Sequence, residues 1–198
     1  MISVIKQCTP GRVKRSLKRL AHNVIDSVRY YAISGRFFCS GAPPAFGKNV
    51  ANIIFVCKGN ICRSAFAETR LRQLLGTAGT IHIDSCGIDV DQGNFPPPDS
   101  VSVAEEFFCS LAGRRSKGLK SCNIADADLI FPMEFGQYKR LVHRYPEKKD
   151  HIILLRSVAS FPQCLFCNTP DPYGLGVTEF RKVYGLIDQI LRRICQWC

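Results

Sequence analysis

Apolar residues fall in short blocks along most of this chain, and the spacing within the blocks changes. Ile53-Ile54-Phe55-Val56 is an unbroken apolar run and reads as a buried strand. Over 65–75 the spacing becomes helical, with Ala67, Leu71, Leu74 and Leu75 on one face. Residues 76–80 make a turn, and Ile81-His82-Ile83-Asp84-Ser85 is a second short strand. Pro98-Asp99-Ser100 opens a helix that turns Ala104, Phe107, Phe108 and Leu111 inward and closes near Gly113. A third strand covers 128–134, with Pro132 tolerable near its end. Residues 135–145 read as a helix that Tyr145-Pro146 stops. A fourth strand spans 152–155, and 156–170 is a loop. A last helix over 177–197 has Phe180, Tyr184, Ile187, Ile190, Leu191 and Ile194 as its core stripe. This alternation predicts an α/β domain: a four-stranded parallel twisted sheet flanked by helices.

Ahead of the domain, residues 11–31 are strongly amphipathic. Val13, Leu17, Leu20, Val24, Val28 and Tyr31 line one face; Arg12, Lys14, Arg15, Lys18, Arg19, His22 and Arg29 line the other. Three readings stand. The helix packs on the domain with a solvated basic face; it lies on a membrane surface or an acidic partner; or it is a transit peptide, Arg-rich and acid-poor. Arg29 and Arg36 interrupt any secretory apolar stretch. Gly41-Ala42-Pro43-Pro44-Ala45-Phe46-Gly47 reads as a linker. The organisation is therefore a basic amphipathic extension and linker over 1–48 and the domain proper over 49–198.

Charge sharpens that division. Of the net charge of +11, residues 1–48 carry +8, from nine Lys and Arg against Asp26 alone. Residues 49–198 carry only +3, from 18 basic and 15 acidic residues. The basicity belongs to the extension, and no nucleic-acid partner is expected. No apolar run approaches the ~18 residues of a membrane span.

The chemistry concentrates in Val56-Cys57-Lys58-Gly59-Asn60-Ile61-Cys62-Arg63-Ser64, a turn from strand to helix. The first amides of a helix lack internal partners, and the macrodipole adds partial positive charge there. Successive loop amides form a nest of the same sign, and Arg63 adds a fork that matches phosphate bidentately. Cys57 sits where its thiolate feels all of these. A thiolate in an anion cradle is a nucleophile aimed at phosphorus, and Ser64 can donate to it when it leaves in a second step.

This stretch resembles the signature of low-molecular-weight protein-tyrosine phosphatases, bacterial type, with thioredoxin-coupled arsenate reductases as relatives. The resemblance covers about 50–197. It implies a phosphatase domain that hydrolyses phosphotyrosine through a phosphocysteine intermediate, with no cofactor and no metal. Cys57, Arg63 and Asp171 would be catalytic. Lys58, Gly59, Asn60, Ile61, Cys62, Ser64 and Tyr173 would bind substrate. Asp171-Pro172-Tyr173, before the last helix, matches the family's general-acid loop. Ser85 and Asn60 would support the cradle. The resemblance also suggests a reversible Cys57–Cys62 disulfide that protects the nucleophile. Ala65 stands where the family usually has Pro, Cys86 where it has Ala, and Arg114 where it has His. That Arg replaces the His, adds positive field, or is a solvated basic turn. Phe95 is the only aromatic near 91–98 to flank a substrate ring.

The rival chemistry is thiol-dependent arsenate reduction on the same fold. It needs resolving cysteines after the third strand, where this chain has Met133-Glu134-Phe135. Of the 11 cysteines, Cys164/Cys167 and Cys195/Cys198 form C-x2-C pairs. The final helix sets these roughly 30 Å apart, so one zinc cannot hold both. The cysteines form no small disulfide scaffold, and Cys57 must stay reduced, which suits a cytoplasmic location. The resemblance implies a phosphotyrosine protein as partner, with a bacterial tyrosine kinase of polysaccharide export as candidate, and the basic helix suits contact at the inner membrane face.

Overall fold

β1 (Asn52–Cys57) runs through the middle of a parallel sheet, between β2 (His82–Gly87) and β3 (Leu129–Pro132). Ile53 stands in register with Ile83 on one side and Leu129 on the other. The structure, a computed structural model, describes residues 10–35, 50–76, 81–90 and 93–197, with side chains from Leu17 onward. The expected linker at 41–47, most of the 76–80 turn, Asp91, Gln92 and Cys198 lie outside the described residues.

β1 is apolar throughout because both of its faces are covered. Ile53 and Phe55 join one core with α2 (Arg63–Leu75), α3 (Pro98–Glu105) and α5 (Val177–Cys195). Ile54 and Val56 join a second core with α4 (Phe135–Arg144) and Tyr30 of α1 (Pro10–Ser34). The expected stripe of α5 is the one observed: Phe180, Tyr184, Ile187, Ile190, Leu191 and Ile194 are all buried.

Two expectations need correcting. The sheet has three strands among the described residues, not four. The 152–155 run reaches the sheet edge, where Ile130 N–H donates to His151 O and Ile153 N–H to Ile130 O, each at 2.9 Å. Leu155–Val158 then winds into a 3-10 turn, so the ladder ends after one bridge. Ile152 to Leu155 are nonetheless fully buried; the apolar run reported burial, not length of pairing. Likewise the third helix stops at Glu105, and Phe108, at a φ of 60°, is 85% exposed instead of facing inward. Leu111 is buried from the following loop.

The docking of α1 also differs from the sequence pattern. Of the apolar face read from the sequence, Leu17, Leu20, Val24 and Val28 are exposed, Tyr31 is half-buried with its hydroxyl donating to Cys164 O, and the side chain of Val13 lies outside the described residues. The helix docks through a polar and aromatic stripe instead. Tyr30 is completely buried, edge-on to Tyr138 at 5.2 Å, and its hydroxyl accepts from Leu154 N–H at 3.3 Å. Ser27 Oγ accepts from Cys167 N–H at 2.9 Å, and Asp26 Oδ2 from Asn168 Nδ2 at 2.9 Å. Hydrogen-bonding side chains carry this contact, so a search for aliphatic periodicity picks the wrong face.

Candidate active site

The carboxyl end of β1 delivers Cys57 to the start of α2, so the loop 58–62 wraps around its sulfur. Asn60 N–H donates to Cys57 Sγ at 3.2 Å, and Ser64 Oγ lies 3.0 Å from it. The amides of Lys58, Gly59, Ile61 and Cys62 have no acceptor among the described residues. They are the donors an oxyanion would take. Asn60 holds the loop's shape in the left-handed region, at a φ of 52°, a conformation asparagine tolerates better than most residues.

A buried polar chain runs back from the cradle. Asn60 Nδ2 donates to Ser64 Oγ at 2.9 Å and to Ser85 Oγ at 2.7 Å, while Asn60 Oδ1 accepts from Lys117 N–H at 3.0 Å. Ser85 Oγ in turn donates to Glu68 Oε2 at 2.6 Å. Arg114, of the three readings open for it, takes the inward one. Its Nη2 donates to Ser85 Oγ at 2.9 Å and pairs with Glu68. Pattern reading did not single out Glu68. Its place on the α2 face toward β2 is the signal that could have found it.

Arg63 is the largest fully buried side chain. Its Nη1 donates to Glu134 and, at 3.0 Å, to Thr169 O; its Nη2 pairs with Asp171 Oδ2 at 2.9 Å. Burial opposes the guanidinium charge, but Cys57, Asp171 and Glu134 around it hold its pKa above the ordinary arginine value. Glu134 was also missed. It lies two residues past the end of β3, at the same carboxyl edge as Cys57, which is where an open α/β sheet gathers its site. Gln137 fixes it, since its Oε1 accepts from Met133 N–H and Glu134 N–H at 2.9 and 3.2 Å.

Cys57, Lys58, Gly59, Ile61, Cys62, Arg63, Asp89, Asp171 and Tyr173 line one cavity of about 250 Å3. Asn60 and Ser64 lie beneath it, fully buried, and act on the loop and on Cys57. Phe95 is not among the lining residues; its ring lies under the Arg115 guanidinium at 4.4 Å. Cys57 and Cys62 are free thiols. Burial, and then the neighbouring Cys57, push the Cys62 thiol up to about 12, so Cys62 stays protonated at neutral pH. Cys167 is a buried free thiol and does not bond to Cys164, which is in a disulfide. Among the described residues no cluster of three His, Cys, Asp or Glu could hold a metal ion.

Residues 52–197 match the family described as low molecular weight phosphotyrosine protein phosphatase. The chain is 31% identical over 145 residues to the low molecular weight protein-tyrosine-phosphatase Wzb of Escherichia coli K12, covering 73% of this chain and 93% of Wzb. It is 28% identical over 146 residues to a protein-arginine-phosphatase of Geobacillus stearothermophilus, covering 73% and 93%. Among solved structures, the tyrosine phosphatase Wzb of Escherichia coli K30 in complex with sulphate superposes with a TM-score of 0.65 at 27% identity, covering 75% of this chain and 98% of that one. With a thiol, an arginine and open amides converging at the start of α2, and this match running across the whole sheet, the chain belongs to the low molecular weight phosphotyrosine protein phosphatase family.

Proposed function

We propose that this protein-tyrosine phosphatase works in two steps through a phosphocysteine. Cys57 Sγ attacks the phosphorus, and the bond to the tyrosine oxygen breaks. Asp171 gives its proton to that oxygen, because a phenolate of pKa ~10 is a poor leaving group at neutral pH. Arg63 and the loop amides carry the charge on the equatorial oxygens, so the chain's own residues supply the electrostatic stabilisation. Water then attacks phosphocysteine with Asp171 as base, and Ser64 donates to the departing thiolate. The observation that carries this reading is the pairing of Asp171 with Arg63 at 2.9 Å in the cavity that Cys57 also lines.

A second substrate class comes from the arginine phosphatase among the relatives. Ile61 and Tyr173, which line the catalytic cavity, offer apolar and aromatic surface to a phenol ring and favour the aryl substrate, while Asp89 on the same lining, the carboxylate a guanidinium would take, is already paired with Arg140 at 2.7 Å. The test is hydrolysis of paired phosphotyrosine and phosphoarginine peptides, beside a thioredoxin-coupled arsenate assay, with wild type and Cys57→Ser. Phosphotyrosine turnover that vanishes in Cys57→Ser is the expected result. Dominant phosphoarginine or arsenate turnover would overturn the reading.

The proposed physiological substrate is a bacterial tyrosine kinase of polysaccharide export. The exposed apolar stripe of α1, together with the charge of the extension, supports peripheral contact with an anionic cytoplasmic membrane face. No helix among the described residues is long and apolar enough to cross a membrane. Vesicles of anionic lipid should sediment full-length protein and release the Leu20→Glu/Val24→Glu variant; equal sedimentation removes this contact.

A further inference from the structure

We infer that Lys18 and Arg19 of α1 form a second anion subsite beside the catalytic pocket. It takes a carboxylate or phosphate side chain that lies near the phosphotyrosine in the substrate polypeptide. The inference rests on the phosphotyrosine reading above and adds a specificity device carried by the extension, which lies outside the family match at 52–197.

A second cavity, of about 550 Å3, lies between α1 and the general-acid loop. Lys18, Arg19 and His22 form one wall; Thr169, Asp171 and Leu175 are on the other. Asp171 also lines the catalytic cavity, so the two spaces are contiguous across one residue. A peptide whose phosphotyrosine occupies the cradle can pass directly beneath α1.

The carboxylates around this cavity already have cationic partners. Glu134 and Asp171 are both paired with Arg63. Glu179 pairs with Lys182 at 2.6 Å, and His22 faces Asp26 at 3.3 Å. Lys18 and Arg19 have no anionic partner among the described residues. Two unsatisfied cations thus face a wall whose carboxylates are already engaged.

The helix that presents them is anchored to the active site. Asn168 donates to Asp26 through Nδ2 at 2.9 Å and to Asn23 Oδ1 through its amide at 3.3 Å. Its Oδ1 accepts from Phe135 N–H at 2.7 Å, at the start of α4, next to Glu134. The neighbouring Thr169 gives its carbonyl to Arg63. One asparagine therefore fixes both α1 and the segment leading to Asp171, which holds the two anion sites in register.

The experiment compares kcat/KM of the full-length protein on phosphotyrosine peptides with Ala, Glu or a second phosphotyrosine in the flanks. The expected result is a preference of about three- to tenfold for the anionic flanks, through KM and shrinking with added salt, which is the scale of exposed ion pairs. Lys18→Glu/Arg19→Glu should erase it while leaving p-nitrophenyl phosphate turnover unchanged, which reports an intact cradle and fold. The Glu and phosphotyrosine arms tell which anion the site prefers. Equal rates on all flanks in wild type, or a preference that survives the double substitution, overturn the subsite. So does loss of anionic-vesicle binding in that variant with no peptide preference in wild type, which would give the two cations to a membrane. A wild type inactive on every phosphotyrosine peptide would overturn the phosphotyrosine reading itself.

Discussion

Arg63 meets two carboxylates, and only one is placed to leave. The Glu134 carboxylate is tied to the start of α4, where Gln137 Nε2 donates to its Oε1 at 3.3 Å, whereas Asp171 sits on a loop. A phosphate dianion arriving at Arg63 competes with Asp171 for Nη2. On the proposed mechanism the displaced carboxyl is the group free to serve the leaving-group step. Asp171→Asn can still accept from Arg63 but has no proton to give. Its kcat on phosphotyrosine peptide should fall ~10²–10⁴-fold. The deficit should shrink for aryl phosphates whose phenols are more acidic than tyrosine's pKa of ~10. A deficit that does not vary with the leaving group would remove Asp171 from the role. At this scale the sequence was most readable. Cys57, Arg63 and Ser64 sit at fixed offsets on one turn, and local geometry brings them together. Glu134 joins only because β3 lies beside β1, a fact of pairing that no local spacing carries.

Elements, rather than single residues, set the shape of the cradle. The floor comes from β2: a Cβ on Gly87 would meet Lys58 O at 2.8 Å, so the 58–59 peptide rests directly on that strand. The back comes from Glu68 on α2 and from Arg114 on the loop after α3, both reaching Ser85. Glu68 is 3% exposed on its side chain, and Arg72, its other cation at 3.1 Å, is half in solvent. Arg114→Ala would therefore leave a buried carboxylate with one half-exposed cationic partner and destabilise the fold by about 3 kcal/mol, as one-sided removal of a buried pair does. It should also slow phosphotyrosine hydrolysis, because Ser85 then loses a donor and Asn60 its fixed support. Chemical denaturation and kcat/KM measured together check this. Unchanged stability would return Arg114 to the solvent-facing reading. Sequence pattern could not decide between those readings, because two residues 46 apart meet only after α2 and the loop pack on β2. The fourth strand shows the same limit. Its apolar run is buried as expected, but the chain turns away from the sheet after one bridge.

Across the whole molecule, the extension proves continuous with the active site. Tyr30 is inserted against Phe135 and Tyr138 of α4, and Asp26 and Asn23 grip Asn168, three residues before Asp171. The amphipathic pattern announced a helix and its basic edge. It misplaced the buried face, because the residues that dock are an aspartate, an asparagine, a serine and a tyrosine. Such a contact has a measurable consequence. Tyr30→Ala removes a completely buried ring and should cost about 3–5 kcal/mol if α1 unfolds with the domain. A simple loss of stability would leave kcat intact at temperatures well below the melting point. Release of α1 would do more: Asn168 would lose its two α1 partners, and the Thr169 carbonyl that steadies Arg63 would lose its brace. The expected outcome is therefore a lower Tm together with a reduced kcat at low temperature on p-nitrophenyl phosphate, a substrate too small to reach Lys18 and Arg19. Tyr30→Phe, which keeps the ring and loses the hydroxyl's 3.3 Å hydrogen bonds with Leu154 N–H and Ser157 Oγ, should restore most of both. If Tyr30→Ala lowered Tm but left low-temperature kcat untouched, α1 would be a passive cover, and the general-acid loop would hold its place without it.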